Sequence, residues 1–139
     1  MSEMHRIYLA APIHKEEDAE ANRKLIAILR EKHMVWSPQE AGIASDYAKR
    51  YGKELKQARQ FFCQHDLKGM KASDVCVAFL GREREPSQGM LWEMGWFFAL
   101  NRPVIFYNPF NNPITLMAEF TSTVVHTVAE LLEALELID

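Results

Sequence analysis

Residues 74–107 read DVCVAFLGREREPSQGMLWEMGWFFALNRPVIFY, and this stretch decides the fold. It opens with an apolar run, 74–80, that predicts a buried strand. A polar loop follows, and then an apolar helix over 89–101. A second apolar strand over 103–107 closes the unit. A strand, a helix and a strand in this order predict two parallel strands joined by a crossover helix.

The same alternation extends in both directions along the chain. Further strands are predicted at 7–11, 34–36 and 123–126, which gives five in all. The helices between and after them are predicted at 15–33, 46–63, 66–71 and 128–137, with a helical turn over 114–120. Strands that alternate with helices form a parallel sheet covered on both faces. We therefore predict one doubly wound α/β domain over residues 1–139, with a parallel five-stranded sheet.

Composition excludes several classes of function. The formal net charge of −3 argues against a nucleic-acid binder, and no apolar stretch reaches the length of a membrane helix. The polar start of the chain is unlike a signal peptide, and Cys63 and Cys76 are expected to be free thiols in a reducing compartment, so a cytoplasmic location is predicted. The histidines lack metal-ligand spacing and no nucleotide-cofactor motif is present, so neither a metal nor a cofactor is predicted.

Two acids are the main candidates for chemistry. Glu93 lies among Met and Trp residues in the helix after the polar loop, although it could instead occupy an exposed helical face. Asp66 precedes the strand at 74–80, and the alternative is that it caps the short helix at 66–71. Two carboxylates at neighbouring strand-helix units suit glycosidic-bond cleavage, in which one attacks the anomeric carbon and the other protonates the leaving group.

Other candidates follow from the position of ligands in such sheets, beyond the carboxyl ends of the strands. These ends present Ala11, Pro12 and Gln39 as possible substrate contacts. Ser87 and Gly89 lie where a helix begins, and its backbone N–H groups favour an anionic or polar ligand. A plain capped turn explains the same two residues equally well.

Several motifs together resemble the nucleoside 2-deoxyribosyltransferase family. They are Ile7-Tyr8-Leu9-Ala10-Ala11-Pro12, Asp66-Leu67-Lys68-Gly69 with Ser73-Asp74, Gly89-x-x-x-Glu93-x-Gly95, and Pro113-Ile114-Thr115-Leu116-Met117. The resemblance covers roughly residues 7–131 and implies a flavodoxin-like fold.

The resemblance also implies roles for individual residues. Glu93 would be the nucleophile that forms a covalent 2-deoxyribosyl-enzyme, Asp66 would protonate or bind the departing base, and Tyr8 would hold Glu93 in place. Thr115 and Met117 of a neighbouring subunit would complete the sugar pocket, so a homo-oligomer with shared sites is expected. The partners would be small molecules: a 2′-deoxynucleoside or its 5′-monophosphate, and a free base.

Two positions depart from the family pattern. Ser87 stands where the transferases usually carry an aspartate, and Thr115 where they often carry an asparagine. Both substitutions resemble the related 2′-deoxynucleoside 5′-monophosphate N-glycosidases, but Pro12 and His14 stand where that group has a Ser and an Arg. The prediction is a deoxyribosyltransferase. The alternatives are a monophosphate N-glycosidase and a non-catalytic nucleotide-binding module.

Overall fold

The computed structural model describes residues 3–82 and 85–138 and contains one five-stranded sheet. Every strand pair in it is parallel, and the order is β2-β1-β3-β4-β5. The strands are β1 Arg6–Ala10, β2 Met34–Trp36, β3 Val75–Phe79, β4 Val104–Tyr107 and β5 Thr123–Val125. The predicted α/β fold and all five predicted strands are confirmed.

Seven helices occur in the described part of the chain and lie on both faces of the sheet. They are α1 Glu16–Leu29, α2 Pro38–Ala41, α3 Ala44–Tyr51, α4 Leu55–Ala72, α5 Gln88–Ala99, α6 Leu116–Phe120 and α7 Val128–Glu136. None of the described helices is both long and apolar enough to cross a bilayer.

Alternate residues of each strand point to opposite faces, so the sheet builds two cores. On one face Ile7, Val77 and Ile105 pack against α1 and α7. On the other face Tyr8 and Phe106 belong to the core that includes residues of α4 and α5. The strands are apolar on both faces because helices cover both.

The predicted helices at 46–63 and 66–71 are wrong in their boundaries. The helical region breaks at Gly52, which ends α3 in the left-handed conformation (φ 62°) that glycine adopts without steric cost. After this turn α4 runs without interruption for 18 residues. Asp66 therefore lies inside α4, and the interpretation of Asp66 as a helix cap is wrong.

Two further boundaries differ from the prediction. The first helix ends at Leu29 rather than His33, because the N–H groups of Glu31 and Lys32 donate to carbonyls three residues back, as in a turn, rather than four. The short helix α2, which begins with Pro38, has no counterpart among the predicted helices. A proline is compatible with the first turn of a helix because its missing N–H would have no partner there.

The sheet order places a topological switch point between β1 and β3. The chain winds outward from these two central strands in opposite directions, to β2 on one side and to β4 and β5 on the other. A crevice forms at the carboxyl ends of such strands, where the following connections diverge. The loops after β1, β2 and β3 meet at this end.

Candidate active site

Glu93 lies in the middle of α5 and is held by a residue of the central strand β1. Tyr8 is fully buried, and its hydroxyl donates a hydrogen bond to Glu93 Oε2. The helix itself is anchored by Ser87, whose Oγ accepts from the Met90 N–H at 3.1 Å. Glu93 is half-buried, so the exposed-face interpretation is wrong for this residue.

The surroundings of Glu93 change its acidity. Burial is the largest effect and raises the pKa of Glu93 from 4.5 to about 7, the Tyr8 hydrogen bond opposes the rise, and the nearby Asp66 charge adds to it. Burial and the charge of Glu93 raise the pKa of Tyr8 in turn, so its hydroxyl stays a donor. Glu93 thus keeps its proton to a higher pH than an exposed glutamate does, and the Tyr8 hydrogen bond orients its carboxyl group.

Asp66 reaches the same place from α4. One of its carboxyl oxygens, Oδ1, is buried and has no hydrogen-bond partner among the described residues. Burial also raises the pKa of Asp66, while His65 acts in the opposite direction. A buried polar atom without a partner is costly, so this oxygen is suited to hold a proton or to meet a ligand.

The two carboxyl groups line one cavity of about 550 Å³, a volume in the range of small-molecule sites. Its wall is mostly apolar on the α4 side, with Phe62 and Leu67 beside Asp66. Ser87, Gly89 and Trp92 line it from the start of α5. An acid pair within an apolar cavity can supply both a nucleophile and a proton donor to a ligand enclosed there.

The other predicted site residues differ in whether they line this cavity. Ala11, Ser87 and Gly89 line the cavity together with Asp66 and Glu93. Pro12 and Gln39 are absent from its lining.

Pro12 and Gln39 instead form hydrogen bonds with Asn22 of α1. The Asn22 amide nitrogen donates to the Pro12 carbonyl at 2.7 Å and to Gln39 Oε1 at 2.8 Å. The Gln39 amide nitrogen donates to the Ala19 carbonyl at 3.1 Å. These hydrogen bonds join the loop after β1 to the segment after β2.

Thr115 and Met117 lie on α6, away from the cavity of their own chain. Thr115 Oγ1 caps α6 by accepting from the Ala118 N–H at 3.3 Å, and the Met117 side chain is 68% exposed. Their contribution to a neighbouring subunit stays a prediction, as do the roles of the other site residues.

Some residues of the site were not singled out from the sequence. Arg59, Phe62 and Cys63 line the cavity on the same face of α4 as Asp66. Their spacing of three and four residues is the signal that would have found them, once the helix was known to be continuous. Asn22 is also missed, although it is 1% exposed. Its sequence signal is its position three residues before Leu25, which places a polar side chain on the apolar stripe of α1.

The donor set does not suggest a metal. Within residues 3–82 and 85–138, no three His, Cys, Asp or Glu side chains are arranged to hold a metal ion.

Comparison with known proteins agrees with this geometry. The family model described as nucleoside 2-deoxyribosyltransferase matches residues 7–129. A 2-deoxyribosyltransferase structure from Bacillus psychrosaccharolyticus superposes with a TM-score of 0.72 at 25% identity, covering 96% of this chain and 91% of that one.

A conserved protein from Enterococcus faecalis V583 gives a TM-score of 0.75 at 20% identity, with 95% and 97% of the two chains covered, and this likeness shows the fold alone. The search among curated proteins finds no match.

Proposed function

Because the chain belongs to the nucleoside 2-deoxyribosyltransferase family, we propose that it cleaves the N-glycosidic bond of a 2′-deoxynucleoside and transfers the sugar to another base. The observation that carries the proposal is the pair formed by Glu93 and Asp66. Glu93 is oriented by a buried tyrosine, and Asp66 presents an unpaired buried oxygen to the same cavity.

In the first half-reaction Glu93 is the nucleophile. Tyr8 donates to Oε2, so Oε1 is the oxygen left to attack the anomeric carbon of the sugar. The bond from that carbon to the base nitrogen breaks, and its electron pair stays on the base. Protonated Asp66 gives its proton to the base, which leaves as a neutral molecule. The raised pKa of Asp66 favours the protonated form that this step needs.

In the second half-reaction the incoming base nitrogen attacks the same carbon and displaces Glu93. Asp66, now a carboxylate, takes the proton that the incoming base loses, and both acids return to their starting states. Water in place of the base would give free deoxyribose. An apolar cavity wall that holds a flat base against the sugar favours transfer over hydrolysis by excluding water.

The exposed apolar surface supports a shared site. The side chains of Leu116, Met117 and Phe120 on α6 are 67%, 68% and 75% exposed, and Trp92 and Phe98 on α5 are also exposed. A patch of this kind is typical of a subunit contact. We propose a homo-oligomer in which Thr115 and Met117 complete a neighbour's sugar pocket, and a cytoplasmic location, with which the free thiols Cys63 and Cys76 are consistent.

A second candidate is hydrolysis of a 2′-deoxynucleoside 5′-monophosphate. It is favoured by Ser87 and Gly89, which line the cavity where α5 begins. A hydroxyl in place of a carboxylate removes repulsion against a phosphate, and backbone N–H groups at a helix start attract one.

One incubation tests both candidates. Deoxyinosine or its 5′-monophosphate is mixed with the protein, with and without free adenine, and the products are separated. We expect hypoxanthine release from deoxyinosine and formation of deoxyadenosine when adenine is present. Glu93→Ala should lose more than about a thousandfold in rate, and only the parent should yield a deoxyribosyl adduct on the peptide that contains residue 93.

The control is Glu133→Ala, which removes an exposed carboxylate of α7. Release of base by Glu93→Ala at the parental rate would contradict the proposed mechanism. Cleavage of the monophosphate alone would favour the second candidate.

A further inference from the structure

Arg59 is a charged residue of the cavity wall, and it has no role in the reaction proposed above. It lies on α4, seven residues before Asp66, and both side chains line the cavity. Seven residues correspond to two helical turns, or roughly 10 Å along the helix. Arg59 and Asp66 therefore bracket a stretch of one wall, with the apolar Phe62 on the same face between them.

The Arg59 side chain has no protein partner in the described part of the chain. No hydrogen bond, ion pair or ring contact involves its guanidinium there. By contrast, Arg23 pairs with glutamates of its own helix α1, Arg30 pairs with Glu40 of α2, and Arg102 donates to backbone carbonyls at the end of α4. Arg59 is thus free to meet a ligand at the mouth of the cavity.

The position of Arg59 assigns it to the base rather than to the sugar. Glu93, which meets the anomeric carbon in the proposed reaction, and Ser87 both come from the α5 side of the cavity. Asp66, which meets the base, comes from α4. Since Arg59 continues the α4 wall outward from Asp66, it lies beside the edge of the base that is remote from the sugar.

We infer that Arg59 determines base specificity, by favouring bases that carry a carbonyl oxygen on this edge over bases that carry an amino group there. The inference rests on the proposed function. A guanidinium has only donors, so it pairs with the carbonyl of a 6-oxopurine or a 4-oxopyrimidine. The amino group of adenine or cytosine is itself a donor and leaves the guanidinium unmatched.

The test uses nucleosides that differ at this edge. Values of kcat/KM are measured for deoxyinosine and deoxyadenosine, each as nucleoside and as 5′-monophosphate, in the parent, Arg59→Leu and Arg59→Lys. Binding of free hypoxanthine and adenine is measured by calorimetry in the same proteins. Lys56→Leu is the matched control, because Lys56 is an exposed cation of α4 that does not line the cavity.

We expect the parent to prefer deoxyinosine and to bind hypoxanthine more tightly than adenine. Arg59→Leu should lower kcat/KM for deoxyinosine by about tenfold and change that for deoxyadenosine by less than about twofold. Arg59→Lys should behave more like Arg59→Leu than like the parent, because lysine keeps the charge but loses the planar fork. Lys56→Leu should leave the ratio unchanged.

Two outcomes overturn the inference. One is an equal loss for both nucleosides together with equal binding of the two bases. The other is a loss confined to the 5′-monophosphates, which would make Arg59 a phosphate ligand. A parent protein that binds hypoxanthine selectively through Arg59 but releases no base from any nucleoside would contradict the proposed function and uphold the inference.

Discussion

Replacing Glu93 with glutamine should stabilise the folded protein, and the gain should depend on pH. The substitution preserves the shape of the side chain and keeps an acceptor for the Tyr8 hydroxyl, but it removes the charge. The pKa of Glu93 is raised from 4.5 to about 7 in the folded chain. Each pH unit between the two values corresponds to about 1.4 kcal/mol. The ionised carboxylate therefore destabilises the fold by about 2–3 kcal/mol, once the partial exposure of the side chain is taken into account.

The sign follows from proton binding. Between pH 4.5 and about 7 the folded state holds the Glu93 proton more tightly than the unfolded state does, so stability falls as the pH rises through this window. Glutamine cannot ionise, so it contributes no such fall in stability with rising pH. The difference in free energy of unfolding between Glu93→Gln and the parent should therefore grow by about 2–3 kcal/mol from pH 4.5 to pH 8.

Urea unfolding followed by circular dichroism at several pH values measures this difference. Glu133→Gln serves as the matched control, since it makes the same change at an exposed carboxylate of α7 that does not line the cavity. If the Glu93→Gln difference stays constant across the window, burial does not raise the pKa of Glu93 and the electrostatic account of the site is refuted.

Two further predictions concern α4. Cys63 is exposed and lines the cavity whereas Cys76 is fully buried, so a maleimide should alkylate Cys63 alone and abolish base release. A bound nucleoside should protect Cys63 from alkylation, and Cys63→Ser should remain active. Alkylated protein with full activity would contradict this prediction. Gly69→Ala should lower the free energy of unfolding, measured in urea, by about 1–3 kcal/mol. The new methyl group would lie 2.2 Å from Trp36 Nε1, on a ring that also packs against His65. The control is Gly95→Ala, whose methyl group would meet no atom within 4 Å and should not destabilise the protein.

The strands could be predicted from sequence because each is an apolar run bounded by turn residues. Residues 75–79 and 104–107 are buried throughout, and such a run has few alternatives to a central parallel strand. Glu93 could be singled out for a related reason, since a lone acid in an apolar helix conflicts with its surroundings unless it has a task.

The α4 wall could not be predicted in the same way. Exposed lysines, an arginine and glutamines are interspersed with the apolar residues of 55–72, so the continuity of this helix is set by packing on the sheet rather than by local pattern. When residues 46–71 are predicted as two helices, a helix cap is an alternative to the predicted catalytic role of Asp66, and Arg59 falls in the other predicted helix. The roles of Pro12 and Gln39 depend on Asn22, a contact between distant segments that no local spacing reveals.

Tyr8 links the core of the fold to the chemistry of the site. It is fully buried in β1 and packs against Phe97 of α5 with ring centroids 5.9 Å apart, so the strand that bears Tyr8 and the helix that bears Glu93 are in direct contact. Burial raises the pKa of Glu93 and favours its protonated form, and the Tyr8 hydrogen bond opposes this by stabilising the carboxylate. The same contact occupies Oε2, so that Oε1 is the oxygen that attacks in the proposed mechanism. In the proposed mechanism a core residue thereby influences both the charge and the orientation of the nucleophile, which gives the Tyr8 hydroxyl a role between the apolar residues Ile7 and Leu9.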